Sequence, residues 1–592
     1  MSSFAKENSK KLKSSSLLIR LWKHLKLRRK VQLLFLLAVM SASGFFELIS
    51  LGSVVPFLSA LTDAEKLLDI RLINDIYETI GLNSPEQLLI IFSCLFGITA
   101  LSAAGVRLCN YWLNTRLAAC IGSDLSCEVY KRTLLQPYIT HITQNSSSLI
   151  TASTNQISIV VDVLRALLQF FTALIISTFL LSGFFFINWK IAVLFISIFA
   201  VLYLFLAVII RKKLTRNSYI IASSSVQQIK ALQEGVGSIR EVILNRSYPF
   251  YLDTYRTADI KQRLNLASNQ FLGVFPRYAL EAFGMLTIAL LATFLVSSNP
   301  KSSILPILGA VALGAQRLLP VLQHIYSSWA IINGSKAALV TVLDILNQQI
   351  PHIKKIRGGY SFRNKIVLDS VSFRYNSETP LVLKSIELTI NKGERIGLVG
   401  KTGSGKSTLV DLIMGLLEPT NGKIFVDNEN IYSPSQIDLI DNWRSLIAHV
   451  PQTIYLADCS IAQNIALGIP ENKIDYVRVR EAAEKAQIAE YIESKSSGYN
   501  EIVGERGIRL SGGQRQRIGI ARALYQKKSF LVFDEATSAL DNDTESAVMD
   551  SINDLSRELT FIIIAHRIST LNLCDRVIEI QNGTIMDIKY NK

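Results

Sequence analysis

The chain has 592 residues, too many for one hydrophobic core, so two or more domains are expected. Its hydrophobic fraction of 49% and mean hydropathy of +0.31 are high for a water-soluble protein. The net charge of +15 would suit nucleic-acid binding, but ten bases and one acid fall within residues 1–30 with no aromatic-interleaved motif, so no nucleic-acid partner is expected.

Residues 1–30 read as a cytoplasmic basic N-terminal segment, the usual anchor ahead of an apolar span. No cleaved secretory leader is predicted, because apolar sequence runs on past the weak cleavage-like "SASG" at 41–44. Residues 31–350 read as a transmembrane domain with six spans, centred on 31–60, 87–115, 158–187, 191–211, 278–298 and 304–335. Residues 62–86 carry six acids and two bases, whereas 211–263 carry ten bases and four acids. The first loop is therefore placed outside and the second inside. Both termini are expected in the cytoplasm, and the connections 115–157 and 211–277 are expected to be helices that continue out of the membrane. The six cysteines (94, 109, 120, 127, 459 and 574) have no metal-ligand spacing and read as reduced packing residues.

Three arginines interrupt the apolar runs: Arg107 in "AAGVRLCNYW", Arg277 in "FPRYALEAFG" and Arg317 in "LGAQRLLPVL". At about 1.5 Å per residue, Arg107 and Arg277 lie roughly 30 Å, and Arg317 roughly 20 Å, from the external helix ends. Charge at that depth is costly and marks function by default. A guanidinium fork suits phosphate and pyrophosphate oxygens, which makes the three a candidate substrate clamp. The alternative is structural pairing, of Arg277 with Glu281 one turn away or of Glu47 with an arginine across helices.

Residues 351–592 have ordinary globular composition. "RIGLVGKTGSGKSTLVD" at 395–411 is an apolar strand, a glycine-rich turn and a helix start. Gly400, Gly403 and Gly405 allow backbone amides to close round phosphates, and Lys406 is placed to bridge the β- and γ-phosphates. Ser407 is placed to ligate Mg²⁺, with Thr408 beside it. "SFLVFDEATSALD" at 529–541 is a buried strand ending in Asp534, which can hold Mg²⁺ through its water shell, and Glu535, a candidate general base.

"RLSGGQRQR" at 509–517 opens a helix on Ser511, Gly512, Gly513 and Gln514. With it, this half resembles the ATPase domain of ABC transporters, whose signature is LSGGQ. The resemblance implies that Tyr375 stacks on adenine and that Gln452 links the γ-phosphate and Mg²⁺ to the membrane domain. It also implies that His566 contacts the γ-phosphate, that Asp541 is the D-loop residue, and that "VGERG" at 503–507 couples to the opposite subunit. ATP and Mg²⁺ are the implied cofactors. A dimer is implied, because the signature completes the partner's site; the intact Glu535, His566 and LSGGQ favour a homodimer, with a heterodimer as the alternative.

The fold class expected is thus multi-domain: a six-helix transmembrane α domain of the ABC exporter type, then an α/β P-loop NTPase domain. "FELISLGSVVPFL", "FPRYALEAFG", "AQRLLPVLQHI" and "PQTIYLADCSIAQNI" are similar to bacterial flippases for lipid-linked oligosaccharides. That likeness implies an ATP-driven flippase for a lipid-linked oligosaccharide or glycolipid in the cytoplasmic membrane. It also implies a short external helix at 64–80. The alternatives are a multidrug or general lipid exporter, or an ATP-gated channel or regulator.

Overall fold

The computed structural model describes residues 14–62, 85–298, 305–350, 360–433, 438–536, 540–553, 559–565, 571 and 574–590. The segment 64–80, assigned to an external helix, lies outside them. The chain forms two compact units: Met1–Gln136 with Gln144–Ile350, and Pro137–Thr143 with Pro351–Lys592.

Among the described residues the first unit is built of helices. A basic amphipathic helix, Ser14–Lys23, precedes the helix Leu27–Gly52, which breaks at Ser53. Val54–Thr62 then restarts with Pro56 in its first turn, where a missing N–H costs nothing. The long helices Pro85–Leu134, Ile157–Gly237, Tyr248–Ser298 and Leu305–Gly334 follow, and Lys336–Leu346 closes the unit. Among the described residues, three helices, Leu27–Leu61, Gln87–Leu134 and Ser146–Gly183, are long and apolar enough to cross a membrane on their own. The bent pair Gln316–Gly334 and Lys336–Leu346 passes the same test together.

The 81-residue stretch Ile157–Gly237 is helical in its backbone bonding, yet it is not one rod. Asn155 Nδ2 donates to Ser225 Oγ at 3.0 Å. In a straight helix those two residues would stand about 100 Å apart. The chain therefore reverses near residue 190, between the spans expected at 158–187 and 191–211. A second reversal is fixed by Gln228 Nε2, which donates to Tyr255 Oη at 2.9 Å and Asp259 Oδ1 at 2.8 Å. Two helical arms thus run side by side beyond the apolar spans, joined by the short helix Ile239–Leu244.

Small residues let these helices approach closely, the packing rule where no hydrophobic contrast drives association. A Cβ on Gly44 would lie 2.4 Å from the Phe179 ring, and one on Gly122 would lie 2.3 Å from Val161.

The second unit holds two sheets. Strands β1 (Lys365–Phe373), β2 (Leu383–Asn391), β4 (Asn421–Val426) and β5 (Glu429–Asn430) form an antiparallel sheet ordered β2-β1-β4-β5. The other sheet has the order β10-β9-β3-β8-β7-β6. Its strands are β3 (Arg395–Val399), β6 (Ile447–Val450), β7 (Phe530–Asp534), β8 (Thr560–Ile564), β9 (Arg576–Gln581) and β10 (Thr584–Tyr590). The β3, β6, β7, β8 and β9 pairings are parallel, and the central strands β3, β7 and β8 are apolar runs because both faces are covered. Trp443, Phe530 and Phe362 pack edge-on or tilted in the core, and Trp443 Nε1 donates to Ile413 O at 2.8 Å.

Candidate nucleotide site and intramembrane cavity

Parallel registry brings the carboxyl ends of four strands to one edge of the sheet, where ligands of open α/β sheets bind. Val450 pairs with Phe533, Asp534 with Ile564, and Leu398 with Ile564. Gln452 therefore follows β6, Glu535 follows β7, and the glycine-rich loop follows β3. His566 follows β8 in sequence but lies outside the described residues.

The loop has the geometry its glycines imply. Gly400, Gly403 and Gly405 adopt φ of 147°, 82° and 108°. A Cβ on Gly400 would sit 2.2 Å from Ile580 O, so this turn admits only glycine. Gly405 caps the helix Lys406–Ile413, whose first amides point out of the loop. Lys406 is buried and folds over the loop, its Nζ donating to Gly400 O at 2.8 Å and Lys401 O at 3.1 Å. Ser407 is exposed beside it, and Ser404 keeps a buried Oγ with no hydrogen-bond partner. The glycine cradle and the lysine fit a nucleoside triphosphate, and the oxygens of Ser407 and Asp534 are donors of the kind a hard divalent cation takes. Tyr375 Oη and Thr408 Oγ1 share a hydrogen bond of 2.9 Å, which ties the aromatic to the helix behind the loop.

Gln452 Nε2 donates to Glu535 Oε2 at 2.7 Å, so two of the residues assigned to hydrolysis meet directly. Glu535 is held at φ 50°, a left-handed conformation unusual outside glycine and typical of over-determined functional positions. Asp541 accepts from Thr544 N at 3.0 Å and Thr544 Oγ1 at 2.9 Å; these bonds hold its carboxyl below the usual range.

Asp411, on the helix behind the loop, belongs to no nucleotide motif. Burial and the nearby charge of Asp534 push its carboxyl up to about 6. The helix Tyr138–Thr143 lies between membrane segments in sequence yet packs Ile139 against the core that Tyr375 also borders. Its sequence, "YITHIT", has no motif that announces this.

Ser511 opens the helix Gly512–Tyr525 through a capping box. Its Oγ accepts from Gln514 N at 3.2 Å, while Ser511 N donates to Gln514 Oε1 at 2.9 Å. The serine hydroxyl proton is not used by that cap and remains available to an anion. Gly512 and Gly513 form the first turn, and in "VGERG" Gly504, Arg506 and Gly507 all take positive φ.

In the membrane unit, Glu47 is 3% exposed and bridges two arginines. Its Oε1 lies 2.5 Å from Arg107 Nη2 and its Oε2 3.2 Å from Arg317 Nη1. Arg317 Nη1 also donates to Ser50 Oγ at 3.0 Å. All three charges border a cavity of about 510 Å³ that also reaches Asn110, Gln169 and His324. The cross-helix partner raised as an alternative thus engages two arginines rather than one. Arg277 and Glu281 are both exposed and form no ion pair with each other, and Arg277 does not line the cavity. The clamp expected from three arginines is brought together for two.

The ABC transporter family model matches residues 383–538, and the model of the ABC transporter transmembrane region matches 32–307. An ATP-dependent lipid A-core flippase of Saccharophagus degradans is 31% identical over 470 residues, 78% of each chain. The heterocyst differentiation ATP-binding protein HepA of Nostoc sp. is 32% identical over 409 residues, 68% of this chain and 65% of that protein. The alpha-hemolysin translocation ATP-binding protein HlyB of Proteus vulgaris is 42% identical over 236 residues, 40% of this chain and 32% of its own length. The match thus spans under two thirds of the length of the last two relatives. A bacterial Atm1-family ABC exporter solved with ATP bound shares the fold, with a TM-score of 0.76, 21% identity and 95% of both chains covered.

Proposed function

The chain belongs to the ABC transporter family, and on that premise we propose that it is an ATP-driven exporter that flips a pyrophosphate-bearing amphiphile across the cytoplasmic membrane. Lipid-linked oligosaccharides and related glycolipids are the substrate class. The observation that carries this reading is the Glu47–Arg107–Arg317 cluster on an intramembrane cavity. One carboxylate leaves the cluster a net positive charge, and the side chain of Arg107 is 57% exposed, so its outer donors are open to an anion. The lipid A-core flippase likeness supports a glycolipid substrate.

In the cycle, ATP and Mg²⁺ sit between the glycine-rich loop of one subunit and the Ser511 segment of its partner, in a homodimer with two sites. Asp534 and Ser407 would hold the cation, with Gln452 beside it. Glu535 polarises the attacking water, His566 holds the γ-phosphate, and ATP supplies the free energy. Hydrolysis separates the ATPase domains, and the helical arms carry that motion to the spans. Both termini lie in the cytoplasm.

A second reading, a multidrug or general lipid exporter, rests on the same cluster, since Glu47 pairs with each arginine without a ligand. ATPase assays in proteoliposomes separate the two. Polyprenyl-pyrophosphate glycans are expected to stimulate the wild type but not Arg107→Ala or Arg317→Ala, with basal hydrolysis retained in both variants. Stimulation by drugs and by no pyrophosphate lipid would select the second reading.

A further inference from the structure

We propose that a second cavity of the membrane unit binds the neutral, hydroxyl-rich glycan of the transported amphiphile, with Gln156 as a buried hydrogen-bond acceptor. This rests on the lipid-linked reading above and adds to it a place for the sugar. The cavity has a volume of about 340 Å³; Gln156, Asp162, Arg165, Gln169, Ser218 and Gln270 set polar groups into a wall that is otherwise largely apolar, a mix that suits the hydroxyls and the C–H faces of a sugar.

Gln156 is 2% exposed, and its Oε1 has no hydrogen-bond partner. Buried carbonyls are nearly always paired, and because Gln156 lines the cavity, a rotation of its side chain would offer this orphan oxygen to a ligand donor. It is the last residue of a single π-helical turn, Ala152–Gln156, a distortion that recurs at functional sites. The site is electrically neutral where it is charged at all, because Arg165 Nη1 lies 3.1 Å from Asp162 Oδ1. Amides and hydroxyls without net charge match sugar hydroxyls, which both donate and accept, better than they match an ion.

The position fits as well. Arg165 and Gln169 line both this cavity and the arginine cavity, so the two adjoin. Gln169 is fixed at the junction by a 2.7 Å hydrogen bond between its Nε2 and His324 Nδ1. Gln156 lies about 20 Å along the helix from Gln169, towards the arms that leave the apolar spans. A pyrophosphate on the arginines would therefore leave its glycan extended along this helix towards Gln156.

The test uses the full chain in proteoliposomes, as wild type and Gln156→Leu. The probes are a polyprenyl pyrophosphate carrying a neutral oligosaccharide, the same lipid without sugar, and the free oligosaccharide. Gln156→Leu is expected to raise the half-maximal concentration for ATPase stimulation about tenfold with the glycan-bearing lipid and less than about twofold with the bare lipid. Saturation-transfer NMR should lose the free-oligosaccharide signal in the variant. Thermal stability should be unchanged or higher, because leucine removes an unsatisfied acceptor, which separates lost recognition from lost folding. Equal shifts for both lipids, no shift for either, or an oligosaccharide signal that persists in the variant would overturn the proposal. If neither lipid stimulates the wild type, the lipid-linked reading falls. The cavity is then judged on the free oligosaccharide alone, where a signal lost in the variant supports it and no wild-type signal overturns it.

Discussion

Glu535 and Asp411 are two carboxylates of one site with different tasks. Glu535, strained at φ 50° and hydrogen-bonded to Gln452, is oriented for water. Glu535→Gln should bind ATP and lower its hydrolysis by at least about 100-fold, the scale of a lost general base. A turnover assay beside a nucleotide-binding assay checks this, and near-normal turnover would remove the residue from its role. Asp411 is raised from 3.8 to about 6 by burial and by Asp534. An acid with a raised folded pKa destabilises the fold once it ionises. The penalty builds as pH climbs from about 4 to about 6 and is complete above that. Asp411→Asn should therefore raise the melting temperature at pH 7.5, and the gain should shrink at pH 5. Calorimetry at the two pH values reads it; a gain independent of pH would show that charge is not the cause. Gly400→Ala should abolish nucleotide binding, since its Cβ meets Ile580 O at 2.2 Å in a backbone conformation alanine disfavours.

At the scale of elements, the nucleotide motifs were legible because each is local: strand, turn and helix start lie within about twenty residues of sequence. The spacing of Gly400, Gly405 and Lys406 encodes a loop whose shape depends on its own glycines. The helices of the membrane unit are less self-contained. The reversal near residue 190 has no helix break in its backbone bonding and is known from Asn155 meeting Ser225. The charge contrast between 62–86 and 211–263 already required a turn between the third and fourth spans. Gly44 shows how tightly the helices then lie. Gly44→Leu should push the helix Leu27–Gly52 off Phe179 and lower thermal stability by several degrees, read by a detergent melting assay. Gly52→Leu, where a Cβ meets nothing within 4 Å, should not.

At the scale of the whole molecule, composition alone divided the chain into an apolar half and a globular half, because burial in lipid and burial in a water-surrounded core demand different average hydropathy. It also placed ten bases at one end of the first span. The order of motifs from Tyr375 to Asp541 likewise determined the chemistry of the second half. Tertiary structure decided who meets whom over long separations. It gave Glu47 to Arg107 and Arg317 and left Arg277 unpaired with Glu281. It set Gln452 against Glu535, joined Tyr138–Thr143 to the ATPase unit, and opened the cavity beside Gln156. The physical reason is range. Glycine conformation, strand hydropathy and helix capping act within a few residues and are written in local sequence. An ion pair between helices depends on where packing brings their faces, and spacing along one helix cannot tell a charge on Arg277 from one on Arg317.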